Sequence, residues 1–187
     1  MQRICGSLAN AGYEVTLLGR KLKNSKKLSE FNFNQQRLYC FFTKGKLFYL
    51  EYNIRLFFFF LFLRKYDAIC AVDLDTLLAA TLAAKIRRKK LIYDAHEYFT
   101  EVPEVVERPR IKKIWEWVAK TCIHRCDACY TVCQSLSAEF KKHYGKDFEV
   151  IRNLPISKSI SNDNSTKIKF FCTIFEIPTF NKMVKTL

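Results

Sequence analysis

Short apolar runs alternate with longer amphipathic segments along most of the chain. The short runs are rich in β-branched and aromatic residues, as strands are, whereas the longer segments repeat apolar residues every three or four positions, as helices do. Strands that alternate with helices are typical of a parallel, doubly wound α/β sheet. We predict strands at 13–18, 36–43, 68–72, 90–95, 128–133 and 148–151, and helices at 2–11, 46–66, 76–88, 109–125 and 135–144.

Several of these boundaries carry local signals. Gly12 follows the first helix, in the position where a left-handed residue often closes a helix, and Pro109 opens a later helix. Ser135 or Ser137 is expected to cap the last helix, because a hydroxyl oxygen accepts hydrogen bonds from free N–H groups there.

The pattern changes after Pro155. Residues 157–167 have the polar composition of a linker, and residues 168–187 are apolar without the earlier alternation. We therefore predict one α/β domain over residues 1–155, followed by a divergent tail over residues 156–187.

Composition narrows the class of protein. With 187 residues, 49% of them hydrophobic, the chain can bury a substantial core, which argues against wholesale disorder. The formal charge of +14 favours an anionic partner such as nucleic acid, nucleotide phosphates or an acidic membrane face, although a solvated basic surface explains it equally well. No nucleic-acid recognition motif accompanies the basic loop at 20–27, so we interpret that loop as solvated and expect no specific nucleic acid partner.

Neither the cysteines nor the Phe-rich run predicts export or a membrane span. The first residues contain no apolar signal core, so the eight cysteines are expected to be reduced thiols in the cytoplasm. The apolar run at 56–63 is far shorter than the roughly 20 residues that cross a bilayer. Residues 57–60 could still meet a membrane surface, but burial under the sheet is the more frequent arrangement.

Polar residues follow two of the predicted strands. Asp73 and Asp75 come after 68–72, and His96 and Glu97 come after 90–95, with Glu101 close behind. Ligands of open α/β sheets bind beyond the carboxyl ends of the strands, so these clusters predict a small-molecule site. Asp73 and Asp75 could act as a paired acid and base or hold a metal, whereas Asp75 could equally cap the next helix.

Two apparent metal motifs are rejected. His96-Glu97 begins a zinc-protease pattern, but Thr100 stands where the second histidine would be. The four cysteines with metal-like spacing cross a helix end, a turn and a strand, so their sulfurs would not converge, and core packing is favoured. These cysteines are Cys122, Cys126, Cys129 and Cys133.

Taken together, these motifs resemble the acceptor-side domain of bacterial family 4 glycosyltransferases, which have the GT-B fold. The similarity extends from about Gln2 to Pro155. It rests on 3–8 with 12–20, on Asp73-Leu74-Asp75-Thr76, on Tyr93-Asp94-Ala95-His96-Glu97 with Glu101-Val102-Pro103-Glu104, and on 130–133 with 150–155.

The resemblance implies a Rossmann-like domain, half of a GT-B fold, in an enzyme that transfers a hexosyl-type sugar with retention. The donor is a nucleotide-sugar, the acceptor a glycan or a lipid-linked glycan, and no cofactor or catalytic metal is tightly bound. His96 matches the family histidine near the transferred sugar, and Asp73, Asp75, Glu97 and Glu101 would lie on the acceptor side. Such enzymes work in the cytoplasm, often at the inner face of the membrane.

The chain also departs from the family pattern. The first strand and its Gly-rich turn are missing before Gln2, which predicts a central gap that leaves two strands without a shared partner. The donor-domain motifs are missing after Pro155, so we expect a truncated or frameshifted reading frame and a chain that is inactive alone. The alternative is a non-catalytic α/β binding or partner module.

Overall fold

A computed structural model describes residues 1–23, 25, 27–152 and 169–173. This part of the chain forms a parallel sheet of seven strands in the order β2-β1-β7-β3-β4-β5-β6, which confirms the predicted Rossmann-like α/β class. The strands are β1 (Glu14–Lys21), β2 (Asn34–Tyr39), β3 (Ala68–Val72), β4 (Lys90–Ala95), β5 (Ala128–Thr131), β6 (Glu149–Val150) and β7 (Lys169–Thr173). The helices are α1 (Gln2–Asn10), α2 (Gly45–Phe62), α3 (Leu74–Arg87), α4 (Pro103–Val106), α5 (Pro109–Cys122) and α6 (Gln134–Tyr144), with 3-10 turns at Phe99–Glu101 and Ile123–Arg125.

The two faces of the sheet are covered unequally. Alternate residues of each strand point to opposite faces, so one face packs on α1 through Cys5 and Leu17, and the other forms a larger core with α2, α3, α5 and α6. Phe60, Leu77 and Val118 are buried members of this larger core, each at most 2% exposed. Helices thus lie on both sides of the sheet, as in a doubly wound fold.

The expected central gap is filled by the tail, which corrects the sequence prediction. β7 lies between β1 and β3, parallel to both, with Phe171 opposite Thr16 on one side and Ile69 on the other. Phe171 is 6% exposed, and its ring packs edge-on against Phe60. The neighbouring strands therefore do share a partner, supplied by the carboxyl-terminal part of the chain. Residues 157–167 of the predicted linker lie outside the described residues.

Most predicted boundaries hold within a few residues, and two differ for clear reasons. Gly12 has a φ of 91° behind α1, and Pro109 is the first residue of α5, as predicted. Helix α2 ends at Phe62 because the chain then turns, so that the hydroxyl of Tyr66 donates to the carbonyl of Phe60 at 3.0 Å. The capping prediction for α6 is wrong: the helix begins at Gln134 after Cys133, and Ser137 donates instead to the carbonyl of Phe148 at 2.7 Å.

The cysteines and the basic loop are only partly as predicted. Cys122, Cys126 and Cys129 are buried in the core, as expected, whereas Cys133 is half-buried. Arg20 does not belong to a solvated loop. It is 6% exposed, and its guanidinium donates to the carbonyl of Thr43 at 3.1 Å and lies 4.0 Å from the centroid of the Phe48 ring.

The Phe-rich run has mixed surroundings. Phe60 is fully buried and Phe57 and Phe59 pack against the core, but Phe58 is 47% exposed. The run is therefore only partly a buried helix. Among the helices of the described residues, none combines the length and the apolar character that a bilayer crossing requires.

Candidate active site at the carboxyl edge of the sheet

The two predicted strand-end clusters meet at one edge of the sheet. β3 and β4 are adjacent and parallel, with Val72 opposite Asp94, so the residues that follow them emerge side by side. The N–H of Asp73 donates to the carbonyl of Asp94 at 2.9 Å, and the N–H of His96 donates to Oδ1 of Asp73 at 3.1 Å. These bonds join the two strand ends into one unit.

His96 is oriented by a buried carboxylate that the sequence analysis did not select. Oδ2 of Asp94 lies 3.0 Å from Nε2 of His96, and the Asp94 side chain is fully buried while that of His96 is 29% exposed. This hydrogen bond raises the pKa of His96, although burial of the ring acts in the opposite direction. A signal was available, because residues two apart in an extended chain project to the same side.

Asp73 adopts a backbone conformation that is unusual for its residue type. Its φ is 57° and its ψ is 168°, a combination that residues other than glycine rarely adopt. Burial raises the pKa of Asp73 to about 6, against the opposing effect of the neighbouring His96. Backbone strain of this kind concentrates at functional sites, where the surrounding structure holds it in place.

Asp75 lies behind the site rather than in it. It sits in the first turn of α3 and is 1% exposed, and its Oδ1 has no hydrogen-bond partner among the described residues. Burial, reinforced by the charge of Asp73, raises the pKa of Asp75 well above its ordinary value. The side-chain amide of Asn53 donates to the carbonyl of Asp75 at 2.9 Å. Asp75 thus lies inside the first turn of α3, whose N-cap residue is Asp73 and which has no side-chain capping hydrogen bond within the described part of the chain.

The two glutamates differ in position. Glu97 is half-buried near Asp73 and His96, and burial followed by the charge of Glu104 raises its pKa. Glu101 is directed toward α5, where its Oε1 lies 2.7 Å from Nζ of Lys112. The structure thus brings Asp73, His96 and Glu97 together and leaves Asp75 and Glu101 at the margin.

The cluster is suited to proton transfer near neutral pH. An acid or base works best when its pKa lies close to the operating pH, and burial raises the pKa of Asp73 to about 6. The hydrogen bond to Asp94 raises the pKa of His96 above its ordinary value. Because Asp94 occupies Nε2 of His96, Nδ1 is the ring nitrogen left to face a ligand. In the described residues, no group of three or more His, Cys, Asp or Glu side chains has the arrangement of a metal site.

A basic cavity of about 430 Å³ lies farther along the same edge of the sheet. Its walls include Arg3 from the first turn of α1, Gly19 from β1 and Arg37 from β2. A side chain at position 19 would project into open space, so the glycine widens the cavity. β7 separates β1 from β3, which places the cavity about 10 Å or more from the Asp73 cluster. Arginines in a concave surface are typical of sites for anionic groups.

Comparison with known proteins identifies the family of the chain. A search among curated proteins finds no match for the chain. The sequence model of Glycosyltransferase Family 4 matches residues 1–154, which contain the whole Asp73, Asp94 and His96 cluster. This match covers most of the chain, and the protein therefore belongs to glycosyltransferase family 4.

Proposed function

We propose that this domain forms the acceptor-side wall of an enzyme that transfers a hexosyl group from a nucleotide-sugar to a glycan or a lipid-linked glycan. The observation that carries the proposal is the Asp94-His96 pair beside Asp73, at the carboxyl edge of the sheet. Transfer occurs with retention in this proposal, without a tightly bound metal or cofactor. The cleft needs a second, donor-binding domain opposite this edge.

His96 is the residue proposed to lie next to the transferred sugar. Its imidazole is held by Asp94 at 3.0 Å, so Nδ1 is presented in one orientation. An oriented donor or acceptor at the reacting centre lowers the barrier because the geometry is fixed before the reaction begins. Asp73 and Glu97 border the same position and would accept hydrogen bonds from sugar hydroxyls.

The basic cavity is the proposed binding site for a substrate phosphate. Arg3 and Arg37 face a concave surface on the same edge as His96, and both the donor and a lipid-linked acceptor carry phosphates. Arginine binds phosphate oxygens through paired N–H donors, which fixes the orientation of the ligand. We assign this cavity to a phosphate of one of the two substrates.

A transfer assay with a joined donor domain tests the proposal. The 187-residue chain, which keeps β7, is fused at its carboxyl terminus to the donor-binding domain of a family member. Radiolabelled UDP-glucose, UDP-N-acetylglucosamine and GDP-mannose are supplied with soluble glycan acceptors. We expect sugar transfer that His96→Ala reduces by roughly 100-fold or more, within the range of a lost positioned catalytic group. The matched control His143→Ala, on α6, should retain full activity.

The same assay separates the alternative, a non-catalytic binding module. If every fusion binds glycan without transferring sugar from any donor, the domain is a binding module. If transfer occurs but His96→Ala leaves it unchanged, the enzyme assignment stands and the role given to His96 is wrong.

A further inference from the structure

Helix α2 is apolar on two opposite faces, and only one of them packs against the core. The inner face carries Phe48, Tyr52, Leu56 and Phe60, none more than 3% exposed. The outer face carries a second row with spacings of three and four residues, which forms one stripe about 22 Å long on an 18-residue helix. Each member of this outer row is at least 47% exposed: Leu47, Leu50, Ile54, Phe58 and Phe62. A surface helix ordinarily carries polar residues there.

An aromatic turn is held beside this outer row. Phe41 is 72% exposed and Phe42 is 47% exposed, yet their backbone N–H groups donate to the carboxylate of Glu51 at 3.0 and 2.9 Å. Nε of Arg55 donates to the same carboxylate at 2.7 Å, and its guanidinium lies 5.1 Å from the centroid of the Phe41 ring. The exposed rings are thus anchored to α2 by a polar clamp.

Basic residues flank the row at both ends. Lys44 and Lys46 are exposed at the start of α2, and Arg64 and Lys65 are exposed just after its end. Glu51 is the one acidic residue between positions 44 and 65, and Arg55 neutralises it. The surface therefore combines an apolar stripe with positive charge at each end, on a chain whose net charge is +14.

We propose that the outer face of α2, together with Phe41 and Phe42, docks onto the surface of an anionic lipid bilayer. The helix would lie parallel to the membrane, with its apolar row at the boundary of the acyl chains and its terminal lysines and arginines on lipid phosphates. Charge complementarity selects this partner, because apolar side chains flanked by cations at both ends match an anionic headgroup layer above hydrocarbon. The contact goes beyond sugar transfer and does not depend on it.

Vesicle flotation with the full 187-residue chain tests the proposal. Vesicles of phosphatidylglycerol and phosphatidylcholine are compared with vesicles of phosphatidylcholine alone. We expect the wild-type chain to float with the anionic vesicles and Phe58→Gln/Phe62→Gln to bind them roughly tenfold more weakly. The matched control is Ile114→Gln/Trp117→Gln on α5, which also removes two side chains that are 59% and 58% exposed. It should bind within about twofold of wild type.

Several outcomes would overturn the proposal. Failure of the wild-type chain to bind anionic vesicles is one, and equal losses in the two double variants is another. Sedimentation velocity is run in parallel. A wild-type dimer that Phe58→Gln/Phe62→Gln converts to a monomer, with no vesicle binding, would assign the face to a second copy of the chain. Because all four substituted side chains are exposed, melting temperatures should stay near wild type, which excludes unfolding as the cause of lost binding.

Discussion

The buried carboxylate of Asp94 determines how His96 is presented at the carboxyl edge of the sheet. Its Oδ2 lies 3.0 Å from Nε2 of His96, and this hydrogen bond is the main cause of the raised pKa of the imidazole. A raised pKa in the folded state means that the pair stabilises the fold fully below the unfolded value of about 6.5. That stabilisation is lost as the pH rises through the folded pKa.

Asp94→Asn should therefore lower the pKa of His96, because the negative charge disappears while burial of the ring still disfavours the cation. NMR titration of the imidazole protons measures the change, and His143, which pairs with Glu139 on α6, is the internal control. The stability lost in Asp94→Asn should be about 1.5 kcal/mol at pH 5.5 and smaller at pH 8.5. An unchanged His96 titration would show that Asp94 does not control it.

Asp75→Asn should stabilise the protein more at alkaline than at acidic pH. Burial raises the pKa of Asp75 well above its ordinary value, so the wild-type carboxyl stabilises the fold below the unfolded pKa of about 4 and loses this contribution as the pH rises through the folded pKa. Asparagine does not ionise, so the difference in melting temperature from wild type should grow between pH 5 and pH 8.5. A difference that shrinks over this range would contradict the burial argument.

Residues at strand ends were predictable, but their exact roles were not. The spacing in the sequence indicated that Asp73 and His96 would share one edge, because parallel strands end together. It did not separate Asp73, in the site, from Asp75, which is 1% exposed two residues later. That difference depends on where α3 begins, and the helix starts two residues earlier than the periodicity suggested. The burial of Arg20 was not predicted for a similar reason. The ring of Phe48, which covers its guanidinium, belongs to a later helix, and the local sequence gives no sign of that contact.

Among the elements, β7 holds an interior position in the sheet although it has only five residues. Its five residues pair with β1 on one side and β3 on the other, so they complete the hydrogen bonding at the centre of the sheet. The side chain of Phe171 packs in the core. The centroid of its ring lies 6.0 Å from the centroids of the Phe60 and Tyr66 rings. Without β7, the facing edges of β1 and β3 would be unpaired and buried, which is costly.

Phe171→Ala should destabilise the protein by about 3–5 kcal/mol, the usual cost of truncating a buried phenylalanine. Urea unfolding followed by circular dichroism measures the loss. The control Phe58→Ala removes a ring that is 47% exposed and should cost less than about 1 kcal/mol. Equal effects of the two substitutions would mean that residues 169–173 are not part of the folded sheet in solution.

The sequence predicted six of the seven strands of the described chain but gave no sign of the seventh. The strand at 169–173 lies in a short apolar run behind the polar residues 157–167, a pattern that fits several structures equally well. Its place in the sheet is decided by pairing with residues about 100 and about 155 positions away. Local periodicity carries no information on contacts at that separation, whereas the strands at 68–72 and 90–95 were predicted to the residue.

For the molecule as a whole, we expect the 187-residue chain on its own to transfer no sugar. The described residues form one Rossmann-like unit around a single sheet, and the proposed reaction takes place in a cleft between two such units. Incubation of the purified chain with radiolabelled nucleotide-sugars and glycan acceptors should release and transfer no more label than a buffer control. Turnover above that background, abolished by His96→Ala, would show that one unit suffices.

The most direct test of the account is a ligand titration followed on the three histidines of the chain. With ¹³C-labelled histidine, a soluble N-acetylglucosamine diphosphate linked to a decyl chain is added to wild-type protein, and the imidazole signals of His96, His124 and His143 are recorded. The account predicts that His96 shifts in a saturable manner while His124 and His143 stay in place, and that Asp73→Asn weakens the response. A titration that leaves His96 unmoved, or that moves all three histidines alike, would contradict the placement of the acceptor at this edge.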